Sequence, residues 1–223
     1  MKKIIAFVSL IVISFVSLVV FQVIKFLSVS KGEKISMYQN PQKALLVIDI
    51  QKAFTDPGAR IVDGTQAVSM IAGANLLTEL FVGMNKPVIY IKTEYDGSDH
   101  IMNFIRKNKA LKGAAETEFD DRLRLSGTAV FSKSCMDSFS NQAFEEYLIK
   151  NRVDHLVITG LEARYCIFGA VSGALGRGYR VTVISDAIAS VDDASRDRML
   201  EKFRQLGATI KTSAQVLKEI DFK

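Results

Sequence analysis

Cysteine, histidine and proline are all scarce in this 223-residue chain, which holds 2 Cys, 2 His and 3 Pro. Two Cys exclude a disulfide framework, so the fold must stand on its apolar core. So few Pro, with 14 Gly, 48% hydrophobic and 24% charged residues, exclude a collagen-like or disordered chain. The length fits one domain, or one domain plus an appendage. A surplus of one charge sign is also missing from most of the chain, although the net charge is +5 and the pI near 9.1. Within residues 1–37, Lys2, Lys3, Lys25, Lys31 and Lys34 face a single Glu33, a net of +4; 24 basic and 23 acidic groups remain elsewhere. A remainder at +1 offers no basic footprint for nucleic acid, and none is expected as a partner.

What the N-terminus does have is a long apolar run. Ile4 to Ile24 is an uncharged stretch of 21 residues, flanked by Lys2-Lys3 and Lys25. About 20 apolar residues at ~1.5 Å each span a hydrocarbon core of roughly 30 Å. A signal-peptide core is shorter, about 7–15 residues, and ends at a small-x-small site that Ser28-Val29-Ser30 matches weakly. Residues 4–24 are therefore expected to cross a lipid bilayer as a single-pass N-terminal anchor. A cleaved signal and a buried core helix are the alternatives. The flanking lysines are too evenly balanced to choose a side of the membrane. The organisation expected is an anchor over 1–27, a polar linker over 28–42 and one domain over 43–223.

From Ala44 onward the pattern alternates. Apolar runs at 44–50, 87–93, 128–133, 155–160, 180–185 and 208–212 predict six short strands. Helical spacing over 66–83, 139–150, 166–176 and 195–206, with a last piece from 213, separates them. Strands buried on both faces between amphipathic helices predict an α/β fold: three layers, α/β/α, around a mostly parallel, six-stranded, Rossmann-like sheet.

Ligands of such sheets bind beyond the carboxyl ends of the strands. Asp49, Lys133, the Glu162–Cys166 turn and Asp186 occupy those ends. Cys166 enters a helix from a turn starting at Gly160, where N–H groups and a lysine ammonium would lower a thiol pKa. A carboxylate within reach would take its proton. Spacing alone equally accommodates a structural set, with Asp49 capping a loop, Lys133 solvated and Cys166 packed in the core.

The motifs narrow this choice. ALLVIDIQKAFTDP at 44–57, GTAVFSKSCMDSF at 127–139, GAAETEFDDRL at 113–123 and HLVITGLEARYCIFGAVSGALGRGYRVTVISDAIAS at 155–190 resemble segments of the isochorismatase-like cysteine hydrolases. The resemblance covers nearly all of 44–217. It implies Asp49 as general base, Lys133 as the group holding that base, and Cys166 as nucleophile. It also implies an oxyanion hole from the backbone N–H groups of Ala163 and Cys166, and a non-proline cis peptide at Glu162–Ala163. The activity implied is hydrolysis of the C–N bond of a small amide or carbamoyl substrate through a thioester. Family members that cleave a vinyl ether lack the Cys. Nicotinamidases of the family hold a metal through an Asp-x-His pair and a second His. His100 and His155 form no such pair, so neither a metal nor another cofactor is expected. Self-association is expected from the same resemblance.

This chain departs from the family's G-x-x-T-x-x-C in placing Ala163 where Thr is usual. That change keeps a backbone donor and loses a hydroxyl. It is also the one feature favouring an alternative, a catalytically silent, membrane-tethered domain that binds a small molecule. Phe54, Glu162 and Arg164 are candidate substrate-lining residues. His155 is expected at the sheet end away from the site, His100 in a polar loop, and the 106–112 cluster RKNKALK on a solvated helix face. Gly173, Gly176 and Gly178 read as helix termination.

Overall fold

The computed structural model describes residues 1–59, 61–126 and 129–221. Six strands form one wholly parallel sheet: β1 (Gln42–Ile48), β2 (Val88–Thr93), β3 (Ala129–Lys133), β4 (Val153–Leu161), β5 (Arg180–Ala189) and β6 (Thr209–Lys211), in the order β3-β2-β1-β4-β5-β6. The expected strands are all present, with ends shifted by a few residues; Thr128 and residues 222–223 lie outside the described residues.

Alternation within β1 shows why both faces need cover. Leu46 and Ile48 pack with Phe144 and Leu148 of α5 (Gln142–Lys150), Val171 of α6 (Phe168–Gly176) and Phe203 of α7 (Asp193–Leu206). Leu45 and Val47 pack on the other face with Met70, Leu77 and Phe81 of α3 (Gly64–Gly83) and Val216 of α8 (Ser213–Asp221). A period of two in the strand thus feeds two separate apolar clusters. Helices α3, α5 and α7 start where a polar side chain satisfies free N–H groups: Asp63 accepts from Thr65 and Gln66, Asn141 from Phe144, and Asp192 from Ser195.

Chain order reverses at β1, which lies between β2 and β4, so the topological switch point falls between the carboxyl ends of β1 and β4. Gly160 permits the close approach there. Its φ is +116°, and a Cβ on it would sit 2.0 Å from the Ile48 carbonyl oxygen. Gly173 does not end a helix; it lies within α6, where a Cβ would meet Phe139 at 2.8 Å. This contact holds α6 against the loop that follows β3.

Ahead of the domain runs α1 (Lys2–Leu27), most of whose described apolar side chains are exposed. Leu10, Ile11, Val12 and Ile13 point in directions roughly 100° apart and each is more than half exposed. Residues 28–41 carry no helix or strand, as a linker would, but they do not hang free. Ser30 donates through N–H and hydroxyl to buried Asp137, while Arg177 Nη1 and Nη2 donate to the Ser30 carbonyl and hydroxyl at 3.0 Å each. The Ile35 N–H donates to the Arg177 carbonyl at 2.9 Å. The two short helices that hydropathy spacing missed, α2 (Lys52–Thr55) and α4 (His100–Ile105), both lie near this end of the sheet.

Candidate active site

Asp49, Lys133 and Cys166 come together at the switch point. The Lys133 ammonium donates to Asp49 Oδ2 at 2.7 Å, to Thr93 Oγ1 at 2.7 Å and to Cys166 Sγ at 3.1 Å. These contacts use all three of its N–H donors. The topology explains the residue type. Neighbouring strands lie about 4.8 Å apart, so β3 is about 10 Å from β1, and only a long side chain reaches across β2. Lys133 and Asp49 side chains are 0% and 2% exposed, which makes this a buried ion pair.

Thr93, which the strand-end reading passed over, bridges the gap. Its hydroxyl accepts from Lys133 and donates to Asp49 Oδ1 at 3.0 Å. Gln51 was missed too: its amide bonds the Thr93 N–H and carbonyl and the Thr117 carbonyl, locking β2 to the loop after β1. Thr93 ends β2 as Lys133 ends β3, so the rule that singled out the other strand ends applied to it equally. Asp49 itself sits at φ +57°, a left-handed turn that aims its carboxylate across the crevice.

Cys166 lies in a π-type turn, Ala163–Ile167, and α6 begins at Phe168 rather than at Cys166. Its thiol pKa is not lowered as expected. Burial, then the Asp49 carboxylate, push it up to about 12, and the Lys133 ammonium only partly offsets them. Burial is also the largest single influence on Lys133 and opposes its charge, but Asp49, Cys166 and Tyr95 together outweigh it and hold the ammonium well above its ordinary range. The resting site is therefore thiol, carboxylate and ammonium, with the proton still on sulfur.

The cis peptide lies at Leu161–Glu162, one bond earlier than expected. Glu162 is buried and accepts from the Ser190 hydroxyl and from Arg164 Nε at 3.0 Å, so both charges flanking the turn brace it. Arg164 keeps an exposed edge beside the Tyr165 ring. Phe54 packs in an apolar cluster with Ala53, Tyr95 and Ala110. Ala163 is fully buried at the head of the turn. Asp186 is not a rim residue: β5 continues past it, and its carboxylate accepts from the N–H and hydroxyl of Ser213 at the start of α8. Cys135 and Cys166 are both free thiols.

The 106–112 cluster is no solvated helix face. Helix α4 stops at Ile105, and the Arg106 guanidinium lies 3.8 Å from the Tyr95 ring centroid and 4.9 Å from that of Phe26. His100 is exposed at the start of α4. His155 sits near the amino end of β4, away from the site, with Nε2 2.8 Å from the Thr182 hydroxyl. Burial, then Lys43 and Arg180, push its pKa down to about 4. The unfolded chain takes up this proton near pH 6.5, before the folded one does, so stability falls as pH drops from about 6.5 toward 4. With allowance for its partial exposure this is worth about 1–2 kcal/mol. His155→Gln should narrow the gap between urea midpoints at pH 7 and pH 4.5; an unchanged gap would count against a buried neutral imidazole.

A Cys, a Lys and an Asp converge at the switch point of a parallel α/β/α sheet, where the resemblance to cysteine hydrolases led them to be expected. The chain belongs to the isochorismatase family: the Isochorismatase domain matches residues 43–215. It is 30% identical over 111 residues to isochorismatase family protein 1B of Dictyostelium discoideum, covering 49% of this chain and about half, 53%, of that relative. It is 24% identical over 169 residues to an N-carbamoylsarcosine amidase of an Arthrobacter species, covering 71% and 63%. The crystal structure of N-carbamoylsarcosine amidase from Thermoplasma acidophilum superposes with a TM-score of 0.67 at 28% identity, over 77% of this chain and 96% of that one.

Proposed function

We propose that the chain is a membrane-anchored hydrolase that cleaves the C–N bond of an amide or carbamoyl substrate with its own three side chains. The observation that carries this reading is Lys133 Nζ held between Asp49 Oδ2 at 2.7 Å and Cys166 Sγ at 3.1 Å. Asp49 takes the thiol proton as sulfur attacks the carbonyl carbon, and the Lys133 ammonium stabilises the sulfur as its proton leaves. The N–H groups of Ala163 and Cys166, in the first turn after β4, are the donors for the developing oxyanion. The C–N bond breaks as the amine takes the proton from Asp49, leaving a thioester. Water, deprotonated by Asp49, then attacks that thioester; the acid departs and Cys166 regains its proton. Ala163 supplies the oxyanion donor through its backbone, so loss of the usual Thr hydroxyl leaves this scheme intact.

Helix α1 serves as an uncleaved anchor. Its span Phe7–Leu27 has a mean hydropathy of 2.7, and most of its apolar side chains are exposed, with Phe26 packed against the domain. The Phe26 carbonyl accepts from the Met136 N–H, and the Phe26 ring joins the stack on Arg106, contacts that cleavage after the run would remove. The test is ammonia or amine release from a panel of primary amides and carbamoyl compounds by the full chain. The protein should stay in the membrane fraction through an alkaline carbonate wash with residues 1–27 present by mass. Cys166→Ala should lower turnover by roughly 10⁴-fold or more, the scale of nucleophile removal in such sites. Equal release by wild type and Cys166→Ala would rule the reading out.

A further inference from the structure

A cavity of about 1000 Å³ lies between α1 and the loop after β3. Its lining mixes apolar and charged side chains, Lys25, Glu94, Asp96, Asp99, Arg106 and Lys112 among the charged ones. Leu18, Phe21 and Phe26 of α1, with Met102 of α4 and Tyr95, supply apolar surface. Ser132, Lys133, Ser134 and Asn141 supply a polar inner end. Lys133, whose side chain is buried and whose ammonium lies 3.1 Å from Cys166 Sγ, is the residue at that end that separates the cavity from the sulfur. Tyr95 belongs to both regions: it lines the cavity and lies close enough to Cys166, Lys133 and Asp49 for their charges to act on its phenol.

The apolar wall is made by the same helix that carries the bilayer span. Leu18 lies six residues before Ile24, so this wall begins about 9 Å inside the end of the apolar run. Helix α4 packs on α1 at that level. There it presents Phe104 at 82% and Ile105 at 50% exposure, two large apolar side chains beside the span. They sit where an interfacial helix buries its apolar face. The arrangement is held firm. Arg177 and Asp137 are buried and grip Ser30, and Arg106 stacks on both Phe26 and Tyr95. The helix cannot swing away from the cavity without breaking those contacts.

We infer that this cavity is the tail subsite of an amphiphilic amide, a molecule that partitions into the bilayer interface and presents its amide head to Cys166 along the face of α1. The inference rests on the hydrolase and anchor readings above and adds the substrate class. A long alkyl or acyl chain lies against Leu18, Phe21 and Met102. The polar head passes Tyr95 toward Lys133. The anchor thereby acts as part of the substrate-binding surface, besides localising the enzyme.

The cavity contains its own reporter. Cys135 lines it, and in Cys166→Ala it is the chain's sole thiol. The experiment measures Cys135 alkylation by N-ethylmaleimide in the full-length Cys166→Ala protein, reconstituted in phosphatidylcholine vesicles. Dodecanamide should slow labelling about fivefold or more, the scale of a site mostly occupied at several times its Kd. Butanamide, too short to fill the cavity, and dodecanol, which enters the bilayer without an amide head, should leave the rate near its starting value. Met102→Ser should weaken the dodecanamide effect. Absence of protection, or equal protection by dodecanol or butanamide, would overturn the inference. Turnover plays no part in this readout. Protection without amide release by the wild type would refute the hydrolase reading alone, and ammonia release by the wild type with no protection of Cys135 by dodecanamide would refute the tail subsite alone.

Discussion

Asp49→Asn should abolish turnover while making Cys166 easier to alkylate. In the folded protein the thiol is held near 12 by burial first and the Asp49 carboxylate second, against the Lys133 ammonium 3.1 Å away. Removing the carboxylate charge leaves Lys133 as the nearest charge to the sulfur, so the thiol pKa falls, although burial still raises it. Each unit by which the thiol pKa falls raises the thiolate fraction at pH 7.5 about tenfold. In a Cys135→Ser background, iodoacetamide labelling of Asp49→Asn should therefore plateau at a lower pH than that of the parent. Hydrolysis should fall by about 10²–10⁴-fold, because no group then carries the proton from sulfur to the leaving amine. Slower labelling in Asp49→Asn would mean that the carboxylate activates the sulfur even without substrate, and the order of events proposed here would be wrong. The sign of the stability change follows from the same shift. The folded thiol keeps its proton above the unfolded value of about 8.5, so Cys166 lowers stability as pH rises from there toward 12, and Cys166→Ala should soften that alkaline loss.

The second large effect concerns the ion pair as structure. Lys133→Met leaves the Asp49 carboxylate in a buried site without its cation. Breaking one side of a buried pair costs about 3–5 kcal/mol, whereas replacing both sides is often close to neutral. For a domain of this size each kcal/mol moves Tm by roughly 2–4 °C, so the single variant should unfold about 6–20 °C lower. Asp49→Asn/Lys133→Met should recover most of that loss while remaining inactive. Thermal unfolding followed by circular dichroism, with amide hydrolysis measured beside it, separates the two roles. A double variant as unstable as Lys133→Met would show that Lys133 matters through its packing across β2 rather than through its charge.

The distribution of these residues shows how much of the site was legible in the chain. Asp49, Lys133 and Cys166 were readable because each ends or follows an apolar run, and strand ends share one rim in a parallel sheet. Thr93 obeys the same rule yet carries no chemical signature, since an isolated Thr at the end of VIYIKT is also an ordinary strand residue. Asp186 shows the reverse error: β5 runs four residues beyond the expected end, to Ala189, and turns a rim carboxylate into the cap of α8. The direction of the Cys166 shift was out of reach. It depends on how much water the fold removes from the sulfur and on how the opposing charges of Asp49 and Lys133 are placed around it, and neither is a local property.

The two ends of α1 divide in the same way. Twenty-one uncharged residues between lysines show without any structure that this segment has the length and apolarity to cross a bilayer. The alternation from Ala44 onward likewise determined a parallel α/β/α domain, because periods of two and 3.6 dictate which faces must be buried. Tertiary structure alone decided that residues after the run are gripped by Asp137 and Arg177. It also decided that Arg106 stacks on α1 rather than facing water, and that the last turns of α1 wall a cavity lined by Lys133. Those contacts join residues more than a hundred positions apart in some cases. No periodicity within one segment encodes such a meeting; only the packing of separate segments creates it.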